Sequence, residues 1–336
     1  MDFNKFKTMK PMKYIGGTAG ASRVRQFLAN PENYSNWLYS EKVDGEWARI
    51  VYDLEGNITV QGRGISKATG EHKDNTELVP HLIEDIKENL RKGTVLIGEF
   101  SFEKHEDYVQ RDIGSILRCK APKAIERQKD NKLFFHTFDC LAHDGIDLSD
   151  STYKVRSAVA ESIKTNYIMP VKAKQVDKGA IEYLDKILAD GGEGIMIMNK
   201  DGKYLPGSRS VTVSLKIKKE LGELTLPVVG LVKPTKNYEG KEADTWPYSI
   251  DGELVTKQYY LGHMAGVVVD YEGNEVKITS GANDEDRAWL ATKEAAEMIN
   301  NGTLKVDGTA MEIFKNVDND KLSLRHPVLL KLRTDL

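Results

Sequence analysis

Apolar positions along the chain follow two periods, and the switch between them outlines the elements. Residues 46–52 alternate, a turn follows at Glu55, Gly56 and Asn57, and alternation resumes over 58–61, which predicts a hairpin. Over 81–91, Leu82, Ile83, Ile86 and Leu90 recur at helical spacing. Strands are predicted at 94–100 and 133–139, and helices at 153–164 and 179–189. Short strands return at 194–198 and 213–218. After Lys219 the pattern changes to a strand over 223–232, a polar loop over 233–247, and strands over 258–270 and 275–279. One helix over 284–299, with Asn283 as its N-cap, precedes strands over 303–314 and 329–332. Many short strands around one helix predict a small barrel. The boundary falls near Leu221-Gly222, giving an α+β domain over 1–221 and a barrel domain over 222–336.

Composition narrows the class. Hydrophobic content of 40% and charged content of 29% fit a globular protein that is neither disordered nor membrane-bound. No apolar run reaches the roughly 18–20 residues that span a bilayer, and the lysine-rich start, Met1 to Lys13, lacks the apolar stretch of a secretory signal. Cys119 and Cys140 make neither a disulfide framework nor a zinc site, so a reducing cytoplasm is the expected compartment. A net charge of −3 does not announce a nucleic-acid partner, yet basic runs at Lys216-Ile217-Lys218-Lys219 and Arg325 to Arg333 leave room for a local basic groove.

Four short segments carry candidate chemistry. Lys42-Val43-Asp44-Gly45 places a lysine on a strand-to-turn boundary. A lysine attacks an electrophile only when neutral, which calls for a lowered pKa; taken alone, the segment favours plain Asp-Gly turn chemistry. Gly98-Glu99-Phe100 and Gly191-Gly192-Glu193-Gly194 place carboxylates beside glycines at strand ends, where a ligand has room to approach. Each is otherwise an ordinary edge carboxylate. In Leu215-Lys216-Ile217-Lys218, alternation puts both lysines on one strand face, suited to a phosphate or to the protection of an exposed edge.

In this order, and followed by a small β-rich domain, the four segments resemble the covalent nucleotidyltransferase superfamily of ATP-dependent DNA ligases, RNA ligases and capping enzymes. The tail narrows the resemblance to the DNA ligases. Leu324-Arg325-His326-Pro327, Lys331-Leu332-Arg333-Thr334-Asp335 and the Ser280-to-Asp284 turn resemble the end of the ligase OB domain. The implied fold is a nucleotidyltransferase (ATP-grasp-like) adenylation domain with a C-terminal OB barrel. The implied function is sealing of 5′-phosphate/3′-hydroxyl nicks in duplex DNA, with ATP as co-substrate and Mg²⁺ as cofactor.

Residue by residue, the resemblance makes Lys42 the nucleophile and places Asp44 near the nick 3′-hydroxyl. Glu41 lies in the nucleotide-binding segment, and Arg63, in Gly62-Arg63-Gly64, contacts the 5′-phosphate side. Glu99 holds the ribose, Phe138 stacks on the adenine, and Glu193, with Glu99, serves the metal. Lys216 and Lys218 grip the α-phosphate, and Arg209 precedes them as a further basic contact. Arg325 faces DNA, and Arg333 reaches the departing pyrophosphate. The chain departs from the family pattern at Trp47, where an arginine is usual, and at Ser40, where a glutamate is usual. The resemblance is to the small two-domain ligases of bacteriophages and bacteria, which implies a monomer in the cytoplasm, a phage host's included, serving DNA repair, replication and recombination.

Overall fold

The hairpin predicted at 46–61 is one corner of a larger sheet. In the computed structural model, which describes residues 12–13, 20–65, 71–103, 110–207, 210, 212–218, 222–240, 245–310, 312–315 and 322–334, Glu46–Tyr52 pairs antiparallel with Ile58–Ile65 on one side and Thr94–Ser101 on the other. Phe134–His143 extends the sheet beyond Thr94–Ser101 and carries Ile168–Pro170 parallel to it. Alternation gives this sheet two apolar faces. Ala48, Ile50, Leu96 and Phe100 meet Leu82 and Ile86 of the helix Pro80–Asn89 and Ile113 of the helix Gln110–Leu117. Val51, Val95, Ile97 and Leu141 form a smaller cluster on the other face, with Tyr204, Trp47 and Phe138 packed against it.

A second sheet has the order Met12–Lys13, Ser214–Lys218, Gly194–Asn199, Trp37–Glu41, Lys174–Gln175. One face is covered by the helices Gly20–Ala29 and Gly179–Ala189, with Leu28, Ala180 and Leu184 against Tyr39, Ile195, Ile197, Leu215 and Ile217. Each such fully buried aliphatic side chain stabilises by roughly 1.5–3 kcal/mol.

The chain divides into two compact units, Met1–Lys218 and Lys219–Leu336. In the second, Asn274–Ile278, Gly266–Tyr271, Leu224–Val232, Lys305–Thr309 and Val328–Arg333 are neighbours in that order. A parallel bridge between Ser280 and Val328, with Leu329 N–H donating to Ser280 O at 2.9 Å, joins the last strand back to the first and closes the barrel. Gly281 is required at this closure: its φ is +96°, and a Cβ there would lie 2.0 Å from Leu329 O. Val228, Val267, Ile278, Val306 and Leu329 fill the interior.

Three sequence expectations are corrected in this unit. The helix expected over 284–299 is two, Asp284–Trp289 and Lys293–Asn300, because Thr292 stops one and caps the other by accepting from Ala295 N–H. The strand expected over 258–270 begins only at Gly266, since Thr256 caps a short helix at Lys257–Tyr260. The strand expected over 303–314 is broken into Lys305–Thr309 and Glu312–Lys315.

Candidate active site

The second sheet of the first unit lines up the lysines by register. Gly194–Asn199 is its central strand, pairing Gly194 with Lys218 and Met196 with Lys216 on one side, and Met196 with Ser40 on the other. Past the end of Trp37–Glu41, Lys42 N–H donates to Gly194 O at 2.9 Å. Lys42, the Glu193-Gly194 turn and Lys218 therefore meet at one end of the sheet. Because Tyr39, Ile195, Leu215 and Ile217 fill the helix-covered core, Ser40, Met196 and Lys216 belong to the opposite face.

The Lys42 ammonium is ion-paired to Glu193 and also lies 3.4 Å from Val43 O. Both charged side chains are sheltered, at 12% and 3% exposure. Burial is the strongest single influence on Lys42 and lowers its pKa, but Glu99, Glu193 and Asp44 together outweigh it and hold the amine above the ordinary lysine range. The lowered pKa expected of a nucleophilic lysine is thus absent from this state, and the reason is three carboxylates acting on one ammonium.

From Lys42 the chain crosses to the larger sheet. Gly45 passes so close to the strand Thr94–Ser101 that a Cβ would sit 2.2 Å from Phe100 O, and Ser101 Oγ donates to Asp44 O at 3.2 Å. Register then sets Trp47 opposite Glu99, and Glu99 opposite His136. Trp47, Ile97, Phe138 and Tyr204 share one apolar cluster on that face. Arg49 is buried there, donating through Nε to Gln61 Oε1 at 2.9 Å.

Sequence reading missed a buried support beneath Phe138. Its neighbour Asp139 receives both arms of Arg156, at 2.8 and 3.1 Å, and Arg156 also donates to Ser151 O and Gly202 O. Arg156 is fully buried and lies over the Tyr204 ring, 5.9 Å from its centroid. The pair ties the strand Phe134–His143, the helix Tyr153–Ser162 and the Tyr204 segment into one wall. A signal was available: an arginine on the inward side of an amphipathic helix implies a buried carboxylate partner.

Residues 21–218, which contain all the groups named so far in this site, match the ATP dependent DNA ligase domain. The chain belongs to the ATP-dependent DNA ligase family. It is 27% identical over 296 residues to a DNA ligase of Methanothrix thermoacetophila, covering 86% of this chain and 46% of the relative. It is 30% identical over 192 residues to a DNA ligase of Natronomonas pharaonis, covering 56% and 33%. The chain thus spans between a third and a half of the length of these curated relatives. Among solved structures, one named Pmar-Lig_Pre matches with a TM-score of 0.67 at 19% identity, covering 98% of this chain and 68% of that one. A structure of a Lig E DNA ligase, described as DNA binding with a minimal scaffold, matches at 0.62 and 17%, covering 97% and 99%. These likenesses establish the folds as a ligase nucleotidyltransferase fold followed by an OB barrel.

The remaining expected site residues are scattered. Glu41, turned from Lys42 by alternation, lines a cavity of about 340 Å³ with Val43, His136, Lys172 and Tyr183. Arg63 is exposed on the strand Ile58–Ile65. Arg209 and the side chain of Lys218 lie outside the described residues. Arg325 and Arg333 belong to the barrel unit, where Arg333 Nη1 donates to Asp307 at 3.1 Å. Among the described residues no three His, Cys, Asp or Glu side chains gather as a metal cluster, and no helix is long and apolar enough to cross a membrane.

Proposed function

We propose that this protein seals nicks in duplex DNA, using ATP, through a covalent AMP on Lys42. The observation that carries the reading is the meeting of Lys42, Glu193 and the Lys216–Lys218 strand at one end of a single sheet. In the first step Lys42 Nζ, having lost a proton, attacks the α-phosphorus of ATP; an N–P bond forms, the bond to the β-phosphate oxygen breaks, and pyrophosphate leaves. AMP then passes to the 5′-phosphate of the nick, and the 3′-hydroxyl, near Asp44, displaces it. Lys216 and Lys218 hold the α-phosphate, Glu99 the ribose and Phe138 the adenine. Catalysis of this kind is mainly positioning and charge stabilisation.

Magnesium suits this donor set: Glu193 and Glu99, both near enough to act on Lys42, would hold it together with phosphate oxygens. It would neutralise phosphate charge. Arg63, Arg209 and Arg325 serve the DNA backbone, and Arg333 serves the departing pyrophosphate.

Incubation with labelled ATP and magnesium tests the reading. One acid-labile, base-stable AMP should attach to the protein, and Lys42→Ala should abolish it. Persistent labelling of that variant would place the nucleophile elsewhere. The labelled enzyme should discharge onto nicked duplex DNA far better than onto single-stranded ends; efficient joining of single-stranded RNA would make it an RNA ligase instead.

A further inference from the structure

Arg333 does not stand alone in the barrel wall. Its Nη1 lies 3.1 and 3.5 Å from the two carboxylate oxygens of Asp307. Asp307 also accepts from Thr225 Oγ1 at 2.8 Å. Three adjacent strands, Leu224–Val232, Lys305–Thr309 and Val328–Arg333, each supply one member of this group. Asp307 is only 5% exposed, while Arg333 is 29% exposed. The acid is thus fixed inside the wall and the base sits at its surface. A buried carboxylate needs a cationic or hydrogen-bonding partner, and a guanidinium facing one has most of its charge compensated.

We propose that Asp307 is the exchange partner of Arg333 during formation of Lys42-AMP. The proposal rests on the reading of Arg333 as the cation that meets pyrophosphate. To stabilise that leaving group, Arg333 trades the Asp307 carboxylate for a phosphate oxygen, and Thr225 stays behind as the carboxylate's donor. When pyrophosphate departs, Asp307 takes the guanidinium back. The acid is a positioning residue: it sets how strongly Arg333 holds the product, and so how readily the product leaves.

The test is inhibition of Lys42-AMP formation by added pyrophosphate. Asp307→Asn keeps the shape and the Thr225 contact but removes the competing charge. The variant should be inhibited at an about fivefold lower pyrophosphate concentration, the scale of one partly exposed charge pair. It should also lose AMP to pyrophosphate faster, and seal a nick already carrying AMP at the wild-type rate. Unchanged or weaker inhibition overturns the exchange. Thr225→Val takes away the donor that holds the freed carboxylate and should shift inhibition the other way, to a higher pyrophosphate concentration; a shift to lower concentration there would make the effect structural and end the proposal. Arg333→Ala separates the two readings. If it forms Lys42-AMP at the normal rate, the pyrophosphate role of Arg333 fails and the exchange with it. If it is slow while Asp307→Asn behaves as wild type, only the exchange fails.

Discussion

Single residues in this protein are decided by neighbours that are distant in sequence. Lys42 was identifiable from its motif, but its charge state was not, because Glu99 and Glu193 reach it only through the fold. The raised pKa has a definite sign: the ion pair stabilises the folded chain at neutral pH and is lost as pH rises past the lysine's elevated value. Formation of Lys42-AMP at saturating ATP should therefore accelerate with rising pH. Glu193→Gln removes one raising influence and should move the inflection of that profile to lower pH; an unmoved inflection would mean Glu193 does not govern the proton on Lys42. Gly45 was readable as a turn glycine, yet its reason is the Phe100 carbonyl beside it. Trp47, the departure from the family arginine, is partly buried against Val51, Val95 and Ile97, with its ring 6.2 Å from that of His72. Arg49 is engaged with Gln61 in the same wall, so an arginine at 47 would bring a second cation to a largely apolar face.

Elements with strong periodicity were found nearly where expected, and those that lacked it were not. The helix Gly179–Ala189 shows Leu184 and Ile187 on one stripe, and its ends agree with the pattern. The helix Gln110–Leu117 escaped because Gly114 interrupts it at a position that costs helix propensity. The strand Trp37–Glu41 was implied by the strand-to-turn boundary at Lys42, but its extent escaped because five residues, WLYSE, show no clean alternation. At 284–299 periodicity ran on through Thr292, whose hydroxyl turns it into a cap. Replacing that cap should be measurable: Thr292→Ala should cost about 1 kcal/mol in chemical denaturation. A change within a few tenths would show that the second helix holds without it.

At the scale of the molecule, the order of motifs was legible because each lies within a few residues of a strand end. The geometry joining them was not, because it depends on pairing between strands far apart in the chain, Trp37–Glu41 with Gly194–Asn199 among them. With a net charge of −3, the duplex binding proposed above would draw on local clusters of lysine and arginine. Nick sealing at sub-saturating DNA should fall steeply as salt rises, while Lys42-AMP formation, which involves no duplex, should fall far less. Parallel salt curves for both would remove phosphate contacts as the source of DNA affinity. The bond from Lys42 N–H to Gly194 O, finally, makes the proposed reactive end of this protein a matter of parity. A strand shows alternate residues to opposite sides, so a slip by one position swaps its two faces. One residue added or removed between Trp37 and Lys42 would put the amine among Tyr39, Ile195 and Leu215, with every motif still present in order. Two would restore the side but misplace the amine along the strand. Length tolerance here is therefore quantised, and a library of small insertions should show dead and partly active lengths alternating across this stretch, but a smooth gradient in the exposed turn at Glu55 and Gly56.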